Sequence, residues 1–108
     1  MMNVVRLRMS LPVSRLGGVA ESTAYYVIAE ALSNAQRHSG ATWVEIGANI
    51  SGQSLHVHVL DNGRGLARAA SGSGLEGLRD RVETVGGEFT LDSVPARGTI
   101  VSATLPLS

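Results

Sequence analysis

The chain has 108 residues, enough for one domain around a single hydrophobic core and too few for two. Nine basic residues balance nine acidic ones, which argues against a general nucleic-acid or anionic-membrane binder. The absence of cysteine excludes disulfides and thiolate metal sites, and the absence of lysine excludes a Walker A phosphate-binding lysine. No apolar run reaches the roughly 20 residues that cross a bilayer. We therefore expect one domain, residues 1–108, without a transmembrane helix.

In some segments apolar residues recur at every second position, as in strands. In the segments between them, apolar residues recur about every 3.6 positions, as in helices. Glycine-rich stretches end both predicted helices, and short turns join the paired strands. In chain order the segments are a strand at 5–11, a helix at about 21–38, strands at 42–50 and 54–60, a helix at about 75–85, and strands at 88–93 and 99–107. This order predicts an α+β sandwich with the helices on one face of a mixed, mostly antiparallel sheet.

The first predicted helix carries an unusual line of polar residues. Glu30, Asn34 and His38 step by four, so they lie along one line that borders the apolar stripe. Carboxylate and amide oxygens suit Mg²⁺, which shares the phosphates of a nucleotide. A solvated ladder of side chains with a helix-ending histidine explains the same pattern equally well.

Two glycine-containing segments follow in the chain. Residues 61–65, Asp-Asn-Gly-Arg-Gly, come after a strand, and their second glycine is more than one turn requires. Residues 72–78, Gly-Ser-Gly-Leu-Glu-Gly-Leu, run into the second helix, where exposed backbone amides could bind phosphates. A simple turn and a flexible connector are the alternative interpretations of these two segments.

The remaining distinctive side chains are interpreted as structural. His56 and His58 alternate with apolar residues and are expected on the solvated face of their strand. Trp43, Tyr25 and Phe89 are expected in the core or at its edge, and the arginines of the first strand on the wet face of an edge strand.

Taken together and in this order, the three motifs resemble the ATP-binding domain of bacterial sensor histidine kinases. That domain belongs to the GHKL (Bergerat) superfamily of gyrase, Hsp90 and MutL. Residues 30–38 are similar to its N box, 61–65 to the G1 box, 72–82 to the G2 box and 96–99 to its late Gly-Thr motif. The form of the G2 box, with a short interval after G1, resembles the nitrate-sensor and desaturase-regulating subgroup.

The resemblance implies a role for each matching position. Asn34 is expected to coordinate Mg²⁺, and Glu30 to orient a metal-bound water or act as a base. Asp61 is expected to accept the adenine amino group, with Thr99 in support. The other implied ATP-binding residues are Arg37 and His38 at the phosphates, Gly63 and Gly65 around the base, and Gly72, Gly74, Leu75 and Gly77 in a lid over the triphosphate.

The resemblance also implies a cytoplasmic location, within a parent protein that could be anchored in the membrane, and it implies partners. ATP and Mg²⁺ are the expected ligands. The γ-phosphoryl group is expected to pass to a histidine on separate dimerisation helices of a parent kinase. Through the full-length kinase, a response regulator is the expected downstream partner. No histidine here has the acidic context of a phosphoacceptor, so the isolated chain is not expected to label itself. Tyr26 and Ala29 depart from the subgroup, which often has Arg and Gln there. An anti-sigma-factor serine kinase and a noncatalytic docking module are the alternatives.

Overall fold

The structure is a computed structural model, which describes residues 4–10, 18–36, 41–63, 75–94 and 98–107. Its elements follow the predicted order. They are β1 (Val4–Ser10), α1 (Gly18–Asn34), β2 (Trp43–Ser51), β3 (Ser54–Asp61), α2 (Leu75–Thr84), β4 (Glu88–Val94) and β5 (Gly98–Pro106). The first helix begins ahead of its predicted start, and its predicted end at 39–40 lies outside the described residues.

The strands form one five-stranded sheet in the order β1-β2-β3-β5-β4. The β1 strand pairs with β2 in parallel, whereas the β2–β3, β3–β5 and β5–β4 pairs are antiparallel. The prediction of a mixed, mostly antiparallel sheet is therefore confirmed. The topology also confirms that β1 is an edge strand.

The core lies between one face of the sheet and the two helices. Strand β3 shows why: its residues alternate between buried and half-buried, as expected for a strand with one covered face. Ala24, Val27 and Ala31 of α1 are buried, as is Ala35 directly after it, which agrees with their helical spacing. Among the described residues, no helix is both long and apolar enough to cross a bilayer.

The chain reverses after α2 through two glycines. Gly86 adopts a φ of +84°, the left-handed conformation that ends many helices, and Gly87 donates its backbone N–H to the Val82 carbonyl at 2.9 Å. A Cβ on Gly87 would lie only 2.5 Å from the Thr104 carbonyl oxygen of β5. The absence of a side chain there lets the chain enter β4 directly beside β5.

The three aromatic residues assigned to the core do not behave alike. Phe89 is buried and Trp43 is partly buried, which agrees with a core or core-edge position. Tyr25 is 71% exposed, so its assignment to the core was wrong. The reason is its angular position on α1, because the neighbouring positions Ala24 and Val27 occupy the stripe that faces the sheet.

Candidate functional site

The first part of the candidate site is a carboxylate at the end of β3. Asp61 is only 5% exposed, and its Oδ1 accepts a hydrogen bond from the backbone N–H of Gly63 at 2.7 Å. An aspartate that accepts from the amide two residues ahead forms a local turn and loses rotational freedom. The carboxylate is therefore held in one orientation within a largely water-free setting, where hydrogen bonds to a charged acceptor are strong.

A second predicted residue, Thr99 of β5, lies opposite Asp61 in the sheet. Asp61 and Thr99 are register partners in the β3–β5 pair, and Thr99 is 3% exposed. Its Oγ1 lies 3.3 Å from the Ser93 Oγ on β4, so a hydroxyl pair continues across the sheet. The register thus unites positions from two motifs that lie almost forty residues apart.

Gly98 permits this close approach, a role that the sequence analysis assigned to no residue. Its φ is +144°, and a Cβ at this position would overlap the Asp61 carbonyl oxygen and crowd the Asn62 Cα. Only glycine fits without displacing the G1 segment. The signal in the sequence was the Gly-Thr pair itself, in which the glycine was interpreted as part of a turn.

A second residue that the sequence analysis missed is Asn62, which ties the end of β3 to the start of β2. Its Oδ1 accepts the backbone N–H groups of Thr42 at 2.9 Å and Trp43 at 3.0 Å, and its Nδ2 donates to the Thr42 Oγ1 at 2.9 Å. These three bonds anchor the segment that contains Asp61. Asn62, the second residue of the motif, therefore stabilises the site through bonds to β2.

The polar line on α1 lies partly in the interior, as predicted. Asn34 is 3% exposed, and Glu30 one turn earlier is partly buried. The Asn34 Nδ2 donates to the Glu30 carbonyl oxygen at 3.0 Å. This bond orients the amide, with its NH₂ group on the helix backbone and its oxygen on the opposite side. The Asn34 amide and the Glu30 carboxylate, one helical turn apart, offer oxygen ligands of the kind that suits Mg²⁺.

The structure describes only part of the predicted phosphate-binding set. Leu75 begins α2, and Gly77 lies in its first turn, where a Cβ would have no described residue outside its own helix within 4 Å. Five further predicted residues lie outside the described ranges, namely Arg37, His38, Gly65, Gly72 and Gly74. Within the described ranges, no group of three or more His, Asp or Glu side chains could hold a metal by itself.

The two strand histidines lie apart from these residues. His56 and His58 are on the sheet face opposite the helices, as predicted. The His56 Nδ1 lies 3.1 Å from the Thr104 Oγ1, and the His58 Nε2 lies 3.6 Å from the Glu45 Oε2. The His58 ring also occupies the space that a Cβ on Gly47 would fill.

Comparison with known proteins places this fold and these motifs in one family. Residues 20–108 match the family described as histidine kinase-, DNA gyrase B- and HSP90-like ATPase. The chain is 33% identical over 90 residues to the sensor histidine kinase YdfH of Bacillus subtilis, covering 77% of this chain and 22% of that protein. It is 33% identical over 98 residues to the oxygen sensor histidine kinase NreB of Staphylococcus carnosus, covering 87% and 28%. The sensor histidine kinase LiaS of Bacillus subtilis is also 33% identical, over 90 residues, covering 81% and 25%.

Solved structures show the same fold. The ATP-binding domain of PrrB from Mycobacterium tuberculosis superposes with a TM-score of 0.69 at 25% identity, covering 94% of this chain and 81% of that one. The blue-light activated histidine kinase of Erythrobacter litoralis gives a TM-score of 0.71 at 23% identity, covering 96% and 36%. The chain belongs to the family of histidine kinase-, DNA gyrase B- and HSP90-like ATPases, as an ATP-binding catalytic domain of the sensor histidine kinase type. It spans about a quarter of the length of its curated relatives, between 22% and 28%.

Proposed function

We propose that residues 1–108 form one domain that binds Mg²⁺-ATP and donates the γ-phosphoryl group to a histidine on separate helices of a parent kinase. The observation that carries the proposal is the buried, oriented carboxylate of Asp61, which is held by Gly63 and paired in register with Thr99. A buried carboxylate held in one orientation can accept a hydrogen bond from the amino group of adenine. Guanine has a carbonyl oxygen at that position, which cannot donate to the carboxylate. Base recognition therefore lies at the β3–β5 end of the site.

The metal and phosphate end of the proposed site involves both helices. The Asn34 oxygen, with Glu30 nearby, would hold Mg²⁺, which neutralises charge on the phosphates. Glu30 would also orient a water or accept a proton. Leu75 and Gly77 at the start of α2, with the lid glycines and Arg37 and His38 as predicted, would surround the triphosphate.

The phosphoryl acceptor is proposed to lie on other helices. Phosphoryl transfer requires an acceptor in line with the γ-phosphate, because catalysis consists mainly of positioning and charge stabilisation. His56 and His58 lie on the sheet face that the helices do not cover, away from Asp61 and Asn34. We infer that the domain by itself does not phosphorylate its own histidines, and that its partners are the phosphoacceptor helices and, through the whole kinase, a response regulator.

The test is incubation of the domain with γ-labelled ATP and Mg²⁺, with and without the dimerisation helices of its parent kinase. We expect no label on the domain alone and an acid-labile phosphohistidine on the added helices. Stable label on the isolated domain would contradict the proposed division of roles. Label on a serine of an added protein would instead favour an anti-sigma-factor kinase.

A further inference from the structure

Two arginines of α2 pack against aromatic rings on two different neighbours. The Arg81 guanidinium carbon lies 3.8 Å from the centroid of the Tyr26 ring on α1. The Arg79 guanidinium carbon lies 5.2 Å from the centroid of the Phe89 ring on β4, and its Nη1 donates to the Phe89 carbonyl oxygen at 3.3 Å. Both separations are within the roughly 6 Å over which a cation is attracted to a ring face. One arginine thus joins α2 to α1, and the other joins it to an edge strand.

The apolar attachment of α2 to the rest of the core is narrow. Among its described side chains only Leu78 and Val82 are buried. A groove of about 510 Å³ separates the two helices, and its wall includes Thr23, Gly77 and Arg81. The stack of Arg81 on Tyr26 joins the two helices beside this groove.

We propose that the Tyr26–Arg81 stack is a positioning contact that fixes α2 relative to α1, and so fixes the phosphate end of the nucleotide site. The inference rests on the proposed function. Asn34 lies eight residues after Tyr26, about 12 Å along the axis of α1 at 1.5 Å per residue. Leu75 lies six residues before Arg81, about 9 Å along α2. Neither partner of the stack is placed to touch the metal, so the pair acts through the two helices that carry the phosphate-binding residues.

The adenine end of the site offers an internal reference. Asp61, Gly63 and Thr99 belong to β3, its following turn and β5. The Asp61 carboxylate accepts the Gly63 N–H, and the Thr99 hydroxyl lies within hydrogen-bonding distance of the Ser93 hydroxyl. Because these residues lie on the sheet and its turn, we expect a shift of α2 to change the binding of the phosphates more than the binding of the base. A loss of overall stability would not separate the two ends in this way.

The experiment compares ATP and adenosine binding in variants of the domain with Mg²⁺ present, using calorimetry for ATP and NMR titration for the weaker nucleoside. For Tyr26→Leu we expect ATP affinity to fall by about two- to fivefold, the size of one exposed cation–π contact, with adenosine affinity unchanged. Tyr26→Phe keeps the ring and should bind both ligands as the parent does. Arg81→Gln removes the cation from an exposed position and should reproduce Tyr26→Leu, while the double variant should be no weaker than either alone.

Tyr25→Leu is the matched control. Tyr25 is 71% exposed and meets the Tyr26 ring edge-on, with centroids 6.4 Å apart, so this variant leaves the face stacked on Arg81 intact. We expect it to bind ATP like the parent. Parent-like ATP binding by Tyr26→Leu, or equal losses for ATP and adenosine, would overturn the positioning role alone. A folded parent domain that binds no ATP would overturn the proposed function together with it.

Discussion

Replacement of Asp61 tests the base-recognition end of the proposed site most directly. The carboxylate is 5% exposed and oriented by Gly63, so its bond to the adenine amino group would form away from water. A hydrogen bond to a charged group contributes about 1.5–3 kcal/mol, and every 1.4 kcal/mol is about tenfold in affinity. We therefore expect Asp61→Ala to weaken ATP binding by about one to two decades.

Asp61→Asn separates the loss of charge from the loss of the local turn. The asparagine oxygen can still accept the Gly63 N–H, which places the new NH₂ group where the second carboxylate oxygen lies. This NH₂ opposes the adenine amino group and can donate to the guanine carbonyl. We expect ATP affinity to fall as in the alanine variant, and the preference for ATP over GTP to narrow.

Calorimetric titration with Mg²⁺-ATP and Mg²⁺-GTP measures these affinities, and thermal unfolding checks the fold. Because a ligand that binds only the folded state raises its stability, ATP should also raise the melting temperature of the parent more than GTP does. ATP binding by both Asp61 variants at parental affinity, or equal thermal shifts of the parent with ATP and GTP, would reduce the motif to a turn and refute the assignment.

Three further outcomes are expected. Asn34→Ala should remove most of the difference in ATP affinity between Mg²⁺ and EDTA, as measured by calorimetry, and block phosphotransfer in the parent kinase; an unchanged difference would exclude Asn34 from the metal site. Gly98→Ala should lower the free energy of unfolding, measured in urea, by more than about 2 kcal/mol, because the new Cβ would clash with backbone atoms. The control Gly52→Ala, at a φ of +61° but in open space, should lower it by about 1 kcal/mol, and equal losses would contradict the steric argument. Gly47→Ala should destabilise the domain less in a His58→Ala background, because the imidazole ring then no longer occupies the space of the new Cβ. If the two substitutions have additive effects on unfolding in urea, the ring does not cause the destabilisation.

The local pattern of apolar residues was sufficient to predict the order of helices and strands, and the motifs were recognisable in the sequence. Burial on one side imposes a period of two on a strand and of 3.6 on a helix, so both periods are visible in neighbouring residues. This is why the helix stripe and the alternation through β3 agree with the predictions. The motifs were recognisable for a similar reason, since each one is contiguous and their order and spacing together identify the family.

The contacts that the sequence pattern did not predict join residues that are distant in the chain. The pairing of Asp61 with Thr99, and the need for Gly98 beside it, follow from the register of two strands joined through a helix and another strand. The exposure of Tyr25 and the stack of Arg81 on Tyr26 depend on how far α1 is rotated and where α2 crosses it. Rotation and register are set by packing of the whole core, which no single stretch of sequence contains. The sequence alone thus determined which groups are present and on which elements they lie, and the tertiary structure decided which of them meet.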